Sequence, residues 1–170
     1  MLISESHELL EQVHSLLADE THPLVQAANL SALIMDSLKD INWVGFYFLH
    51  KGALLLGPFQ GRPACIRIPL GRGVCGSAAE QRRTHCVLDV HAFPGHIACD
   101  ERSRSELVIP LLQGDRLVGV LDLDSPLLGR FGEKEVALLE AAASFYVMHC
   151  DFDGMCYDLQ PPTGDPTRPL

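Results

Sequence analysis

The sequence contains no long apolar run, no run of Lys and Arg, and no internal repeat. Its apolar stretches fall well short of the ~20 residues that a membrane-spanning helix needs, and acidic residues lie near the N-terminus, where a signal peptide carries Lys or Arg. The net charge of -9 would repel a phosphate backbone. These absences argue against a membrane or nucleic-acid role and predict a cytoplasmic protein.

The composition is typical of a globular domain, with 47% hydrophobic and 21% charged residues in a chain of 170. A chain of this length buries about two-thirds of its unfolded surface, so a core forms without disulfide staples. We expect one domain over residues 1–150, followed by a proline-rich tail over 151–170.

Apolar periodicity predicts an α+β architecture, in which helices pack on an antiparallel sheet of five or six strands. The predicted helices span residues 8–17, 23–40, 74–81 and 132–150. The predicted strands span residues 42–49, 53–59, 65–68, 86–90, 107–112 and 117–123. The intervening segment 91–105 is a long loop, and such loops in compact domains usually carry function.

Six cysteines in a reducing compartment are buried filler, metal ligands or redox catalysts. Cys65 opens a predicted strand and Cys75 follows a turn. Cys99 lies in the long loop near His96, and a loop thiol with a nearby histidine can be held as a reactive thiolate. The plain alternative is that each is a small buried hydrophobe. That alternative is preferred for Cys86, Cys150 and Cys156. A zinc site that uses His91, His96 and Cys99 is disfavoured, because the spacing does not supply two close ligand pairs.

Three carboxylates occur in the second predicted hairpin. Asp122 and Asp124 are two residues apart in an apolar strand and therefore share a face. A three-residue loop over 113–115 would place Glu106 opposite Asp122, whereas an even-numbered loop would turn them to opposite faces. Convergent carboxylates repel, which favours one staying protonated as a proton donor. The alternative is a solvated sheet edge that is blunted by charge.

The only tryptophan, Trp43, shares a strand face with Gly45 and Tyr47. An aromatic wall that faces carboxylates suits a small zwitterion, because rings pack an apolar or sulfur-bearing side chain while acids bind an ammonium group. The alternative is that both rings are ordinary core residues.

Taken in order, several segments resemble the free methionine-R-sulfoxide reductases, a family with the GAF fold. The resemblance extends over Met1–Met148 and rests on the segments Asn42–Tyr47, Gly57–Gly61, Ala64–Pro69, Gly71–Gly76, Asp89–His91, Phe93–Asp100, Ser105–Pro110 and Leu121–Pro126. It implies a single GAF domain whose long loop covers the pocket, and an oxidoreductase that reduces the R sulfoxide of free methionine. It also implies recycling by thioredoxin, a homodimer, and no metal or organic cofactor.

The resemblance also assigns roles to residues. Cys99 matches the nucleophilic cysteine, Cys65 its usual resolving partner, and Cys75 a third cysteine that can take part in disulfide exchange. The order in which Cys65 and Cys75 act stays open, as does the identity of the proton-donating carboxylate. The residues that match the substrate pocket are Trp43, Tyr47, Glu106, Asp122 and Asp124.

Two other function classes compete with the reductase. One is a non-catalytic sensor that binds a metabolite, although three thiols and an acidic pocket do not suit an anionic nucleotide. The other is a redox-sensing thiol switch without turnover. Consumption of a dithiol only when methionine sulfoxide is added would distinguish the enzyme from the switch.

Overall fold

The computed structural model describes residues 2–95 and 100–153, with side chains from residue 8 onward. Its helices are α1 (Leu2–Leu17), α2 (Pro23–Ser37), α3 (Gly73–Gln81) and α4 (Glu133–His149). Its strands are β1 (Trp43–His50), β2 (Ala53–Gly61), β3 (Arg67–Pro69), β4 (His85–Val87), β5 (Ser105–Gln113) and β6 (Arg116–Ser125). No helix in the described part of the chain is long and apolar enough to cross a membrane.

The six strands form one antiparallel sheet in the order β3-β2-β1-β6-β5-β4. Helices α2 and α4 pack on β1, β2 and β5, and α1 packs on both of these helices. The short helix α3 contacts β3, β5 and β6. The predicted α+β class, with helices on an antiparallel sheet, is confirmed.

Strand β1 divides the core into two parts, because successive side chains of a strand point to opposite faces. Val44, Phe46 and Phe48 are buried in the larger cluster together with the apolar sides of α1, α2 and α4. Trp43 and Tyr47 lie in a second cluster that includes residues of α3. Burial of each large side chain contributes roughly 1.5–3 kcal/mol, so the three-helix face supplies most of the stabilisation.

The β5–β6 hairpin has a register that matches neither of the two cases considered from sequence. Its turn contains two residues, because Gln113 pairs with Arg116. An even turn alone would send Glu106 to the wrong face, but a bulge between Leu111 and Leu112 shifts the register by one residue. Glu106 therefore pairs with Asp124 and not with Asp122. Of the two cases considered from sequence, the turn is the even-numbered one, and the bulge still leaves the three carboxylates on a shared face.

Two predicted strands are shorter than expected. Residues 65–68 were predicted as a strand, but β3 begins at Arg67, and the Cys65 carbonyl accepts a hydrogen bond from the Tyr47 hydroxyl at 3.0 Å. Residues 86–90 were also predicted as a strand, but β4 is followed by a 3-10 turn over Val90–Ala92. Asp89 caps that turn by accepting a hydrogen bond from the His91 backbone N–H at 3.0 Å.

The prediction that Cys86 is a core residue is wrong. Cys86 is exposed, because β4 is an edge strand and successive residues alternate between its faces. Cys150 is buried, as expected of filler. Cys99, Cys156 and most of the predicted tail lie outside the described residues, and the predicted domain boundaries stay predictions.

Close backbone packing at Gly119 gives the first prediction. A Cβ added at Gly119 would lie 2.2 Å from the Tyr47 carbonyl oxygen on the neighbouring strand. We expect Gly119→Ala to lower the free energy of unfolding by ~1–3 kcal/mol, because a packed backbone cannot yield to the added methyl group. Urea denaturation measures the change. Gly132→Ala is the matched control, because its Cβ would meet only the flexible Glu135 side chain, and equal losses in both variants would contradict the packing argument.

Candidate active site

A pocket lies between two parts of the fold. One is α3 with the segments on either side of it, and the other is the face of β1, β5 and β6 that is turned towards α3. Strands contribute aromatic and acidic side chains, α3 contributes a thiol, and the C-terminal part of the long loop contributes polar groups. The pocket is lined by Trp43, Tyr47, Pro63, Ala64, Ile68, Arg72, Gly73, Val74, Cys75, Asp100, Ser103, Glu106, Asp122 and Asp124.

Trp43 and Tyr47 form a rigid aromatic wall. Their ring centroids are 5.9 Å apart, and Phe59 stacks on Trp43 from behind at 5.4 Å. The Trp43 indole N–H donates to the Arg62 carbonyl at 3.0 Å, and the Tyr47 hydroxyl is also bonded to backbone. Because both polar atoms are satisfied, the rings present apolar faces. The alternative that both rings are ordinary core residues accounts for their burial, but it does not account for their position in the pocket wall.

Gly45 makes room for the Trp43 ring. A Cβ at Gly45 would lie 2.6 Å from Cη2 of Trp43 and 2.4 Å from Cβ of Phe59. Any side chain at this position would push the indole out of its place in the wall. Gly45 is therefore a positioning residue for the pocket, and it was noted at the sequence level only as sharing the Trp43 face.

The three carboxylates meet on one patch of the sheet. Glu106 pairs with Asp124 on the neighbouring strand, and Asp124 also pairs with Trp43 on the other side. Glu106 and Asp122 are buried, each with 6% of its surface exposed. Oδ1 of Asp122 has no hydrogen-bond partner among the described residues. The alternative of a solvated sheet edge is therefore wrong, because β5 and β6 are inner strands.

Burial dominates the electrostatics of this patch. It raises the pKa of Glu106 well above the ordinary value, and the charges of Asp122 and Asp124 raise it further. Burial raises the pKa of Asp122 to about 7, although hydrogen bonds with Cys75 and Glu106 partly oppose the shift. The pKa of Asp124 is also raised, by burial and then by Asp122. At neutral pH the patch holds protons that it can donate.

Cys75 lies against this acid patch. Its thiol donates to Oε1 of Glu106 across 3.8 Å. Burial raises the pKa of the thiol well above its usual range, and Asp122 and Glu106 raise it further. A protonated thiol is a weak nucleophile, so Cys75 is not poised to attack a substrate in this state.

The C-terminal part of the long loop, from Asp100 to Ser103, is tied to the start of β1. Asn42 Nδ2 donates to Asp100 Oδ2 at 3.2 Å and to Ser103 Oγ at 3.0 Å. Arg102 binds the Asp100 carboxylate at 2.6 Å and holds its pKa well below the usual range. Asp100 therefore stays ionised at the pocket rim, unlike the buried acids. Sequence reasoning missed this anchor, because Asn42 and Asp100 are 58 positions apart.

Cys65 is disulfide-bonded, whereas Cys75, Cys86 and Cys150 are free thiols. Cys65 directly follows Ala64 of the pocket wall, and its carbonyl is bonded to Tyr47. Of the predicted site residues, six line the pocket together, namely Trp43, Tyr47, Cys75, Glu106, Asp122 and Asp124. Cys65 adjoins the pocket, and Cys99 lies outside the described residues.

Within the described ranges, one grouping of side chains could ligate a metal ion, and it differs from the one considered at the sequence level. It consists of Cys75, Glu106 and Asp122, whose ligand atoms lie within 4.8 Å of one another. His91 is exposed and bonded to Asp89 at 3.1 Å, outside this grouping.

The chain matches the GAF domain family model over residues 9–148. It is 50% identical over 128 residues to the Escherichia coli free methionine-R-sulfoxide reductase. The aligned region covers 75% of this chain and 78% of that relative. The chain belongs to the free methionine-R-sulfoxide reductase family. Both the family resemblance and the GAF fold that were predicted from sequence are confirmed.

Solved structures of free methionine-R-sulfoxide reductases share the fold. The Neisseria meningitidis enzyme, in complex with its substrate, has a TM-score of 0.83 and 42% identity, and the match covers 88% of this chain and 89% of that one. The Staphylococcus aureus fRMsr, also in complex with substrate, has a TM-score of 0.82 and 47% identity over 86% of this chain and 95% of that one. The chain is therefore an oxidoreductase, as the resemblance implied.

The buried acids of this reductase-family site predict a pH-dependent stability. Because the pKa of Asp122 is raised, the folded protein holds more protons than the unfolded chain between pH ~4 and pH ~7. The contribution of Asp122 to the free energy of unfolding is therefore present at low pH and lost as the pH rises through about 7. We expect Asp122→Asn to gain stability over wild type between about pH 5 and about pH 8, by on the order of a few kcal/mol.

Urea denaturation at the two pH values measures this gain. Asp115→Asn, which removes an exposed turn carboxylate, is the matched control for the substitution itself, and we expect it to change the free energy of unfolding by at most about 0.5 kcal/mol. A difference between Asp122→Asn and wild type that does not change with pH would show that burial does not perturb this carboxyl group.

Proposed function

We propose that this enzyme reduces the R sulfoxide of free methionine to methionine. The observation that carries the proposal is the pocket, in which Trp43 and Tyr47 face a buried patch of three carboxyl groups. Its composition is complementary to methionine sulfoxide, which has a thioether-derived apolar arm and a charged amino group. Relatives whose names carry this activity are 50% and 38% identical to the chain.

In this proposal the acid patch binds the substrate ammonium group. An ammonium ion offsets the repulsion between Glu106, Asp122 and Asp124, so binding and partial ionisation of the patch reinforce each other. A peptide nitrogen carries no charge and would leave the buried acids without a partner. Selectivity for free methionine sulfoxide over protein-bound methionine sulfoxide follows from this requirement.

We assign Cys99 as the nucleophile. Of the described free thiols, Cys75 faces the pocket, but burial and the acids keep it protonated. Asp100, which follows Cys99 in the chain, lines the pocket. The Cys99 thiolate attacks the sulfoxide sulfur while a protonated acid, Glu106 or an aspartate, donates a proton to the sulfoxide oxygen. Methionine leaves, and the oxygen stays on Cys99 as a sulfenic acid.

Cys65 then acts as the resolving cysteine. Its thiol condenses with the sulfenic acid, so that a Cys65–Cys99 disulfide forms and water leaves. The sulfoxide gains two electrons and the two thiols lose them, which balances the reaction. The support for Cys65 over Cys75 is that Cys65 is in a disulfide while Cys75 is free. Thioredoxin, or a similar dithiol in the cytoplasm, reopens the disulfide by thiolate exchange.

The homodimer that the resemblance implies stays a prediction.

The assay that tests this function measures methionine release from the separated R and S sulfoxide epimers. We expect wild-type protein with dithiothreitol to turn over the R epimer and Cys99→Ser to release none, because no other cysteine replaces the nucleophile. Without reductant, pre-reduced wild type should release one methionine per chain and lose two thiols. Cys86→Ser, at an exposed free thiol, is the matched control and should keep full turnover.

Failure of fully reduced wild type to turn over either epimer would refute the reductase proposal. Loss of two thiols without methionine release would instead indicate the redox switch.

The second functional prediction concerns the ammonium group. N-acetylation of methionine-R-sulfoxide removes the positive charge that we assign to the acid patch. We expect kcat/KM to fall by on the order of 30-fold or more, because breaking one side of a buried charge pair costs ~2–5 kcal/mol. Steady-state kinetics on both compounds measure the ratio. A ratio near unity would place the amino group outside the acid patch.

A further inference from the structure

The side chains of Cys75, Glu106 and Asp122 are placed so that together they could bind a metal ion, and the proposed reduction does not use this property. We propose that these three side chains form a zinc site that competes with the substrate ammonium group and so inhibits the enzyme. The competition rests on the proposed function, because it assumes that the acid patch binds the ammonium group. The metal site itself rests on geometry alone.

The ligand geometry suits zinc. One sulfur and two carboxylate oxygens lie within 4.8 Å of one another, and Sγ of Cys75 is 3.8 Å from Oε1 of Glu106. Bond lengths of ~2.3 Å to sulfur and ~2.0 Å to oxygen place two tetrahedral ligands ~3.5 Å apart, so only small side-chain movements are needed. Three protein ligands leave the fourth position open to a water molecule.

A second observation points independently to a ligand. Asp122 lines the pocket, and its Oδ1 atom is buried and has no hydrogen-bond partner among the described residues. An unpartnered buried carboxylate oxygen is costly, and a cation would relieve that cost. Thiolate with carboxylate favours Zn²⁺ over Mg²⁺ or Ca²⁺, which prefer oxygen ligands alone.

The charge balance explains why Zn²⁺ and an ammonium group would exclude each other. Zinc binding deprotonates the Cys75 thiol, and the dication then offsets the thiolate and the two carboxylates. An ammonium group offsets part of the same negative charge and occupies the same space. Either cation can sit on the patch, but not both.

The test uses oxidised protein, in which Cys65 is held in its disulfide and cannot ligate metal. Cobalt(II) is titrated into the protein, and thiolate-to-cobalt absorption in the near ultraviolet is recorded. We expect a saturable band that Zn²⁺ bleaches, because zinc binds such sites more tightly than cobalt. We also expect methionine sulfoxide to weaken cobalt binding.

Variants identify the ligands. Cys75→Ser should abolish the band, and Asp122→Asn should weaken cobalt binding by ~100-fold or more, since even outer partners of metal ligands contribute ~10–100-fold. Cys86→Ser and Cys150→Ser, at the other described free thiols, should leave the band unchanged. Far-ultraviolet circular dichroism checks that each variant is folded.

Absence of the band, or its persistence in folded Cys75→Ser, would overturn the zinc site. A band that methionine sulfoxide does not weaken would overturn the competition. Turnover is assayed separately on reduced, metal-free protein. Loss of turnover with intact cobalt binding would count against the proposed function and not against the metal site.

Discussion

The register of β1, β6 and β5 places Trp43, Asp124 and Glu106 in one row across the sheet, and the site depends on this alignment. Asp122 lies in the next row, beside Gly45, whose missing side chain leaves space for the indole. A slip of one residue would turn the acids into the apolar core under α1, α2 and α4. The aromatic wall and the acid patch are therefore consequences of one hydrogen-bonding pattern.

One face of the sheet stabilises the fold, and the opposite face carries the candidate active site. The face under α1, α2 and α4 is packed with large apolar side chains and carries the free energy of folding. The α3 face holds buried carboxyl groups and a thiol, which oppose folding when they ionise. An interior of this kind is tolerated only because the opposite face is so well packed.

Much of this arrangement could be predicted from sequence, because it is local. Helical spacing placed α2 and α4, and period-two alternation placed Asp122 and Asp124 on one face. The bulge at Leu111 and Leu112 could not be predicted, since it depends on how two strands pair and not on either alone. The exposure of Cys86 was missed for a related reason: nothing local distinguishes an edge strand from an inner one.

The lone tryptophan gives the pocket an intrinsic optical reporter. Trp43 lies in the pocket wall, in the same sheet row as Asp124, and the sequence contains no second indole to obscure its emission. Quenching by protonated carboxyl groups and by sulfur differs from quenching by their ionised or metal-bound forms. Emission from the unmodified protein therefore reports occupancy and protonation of this one cavity, without any attached label.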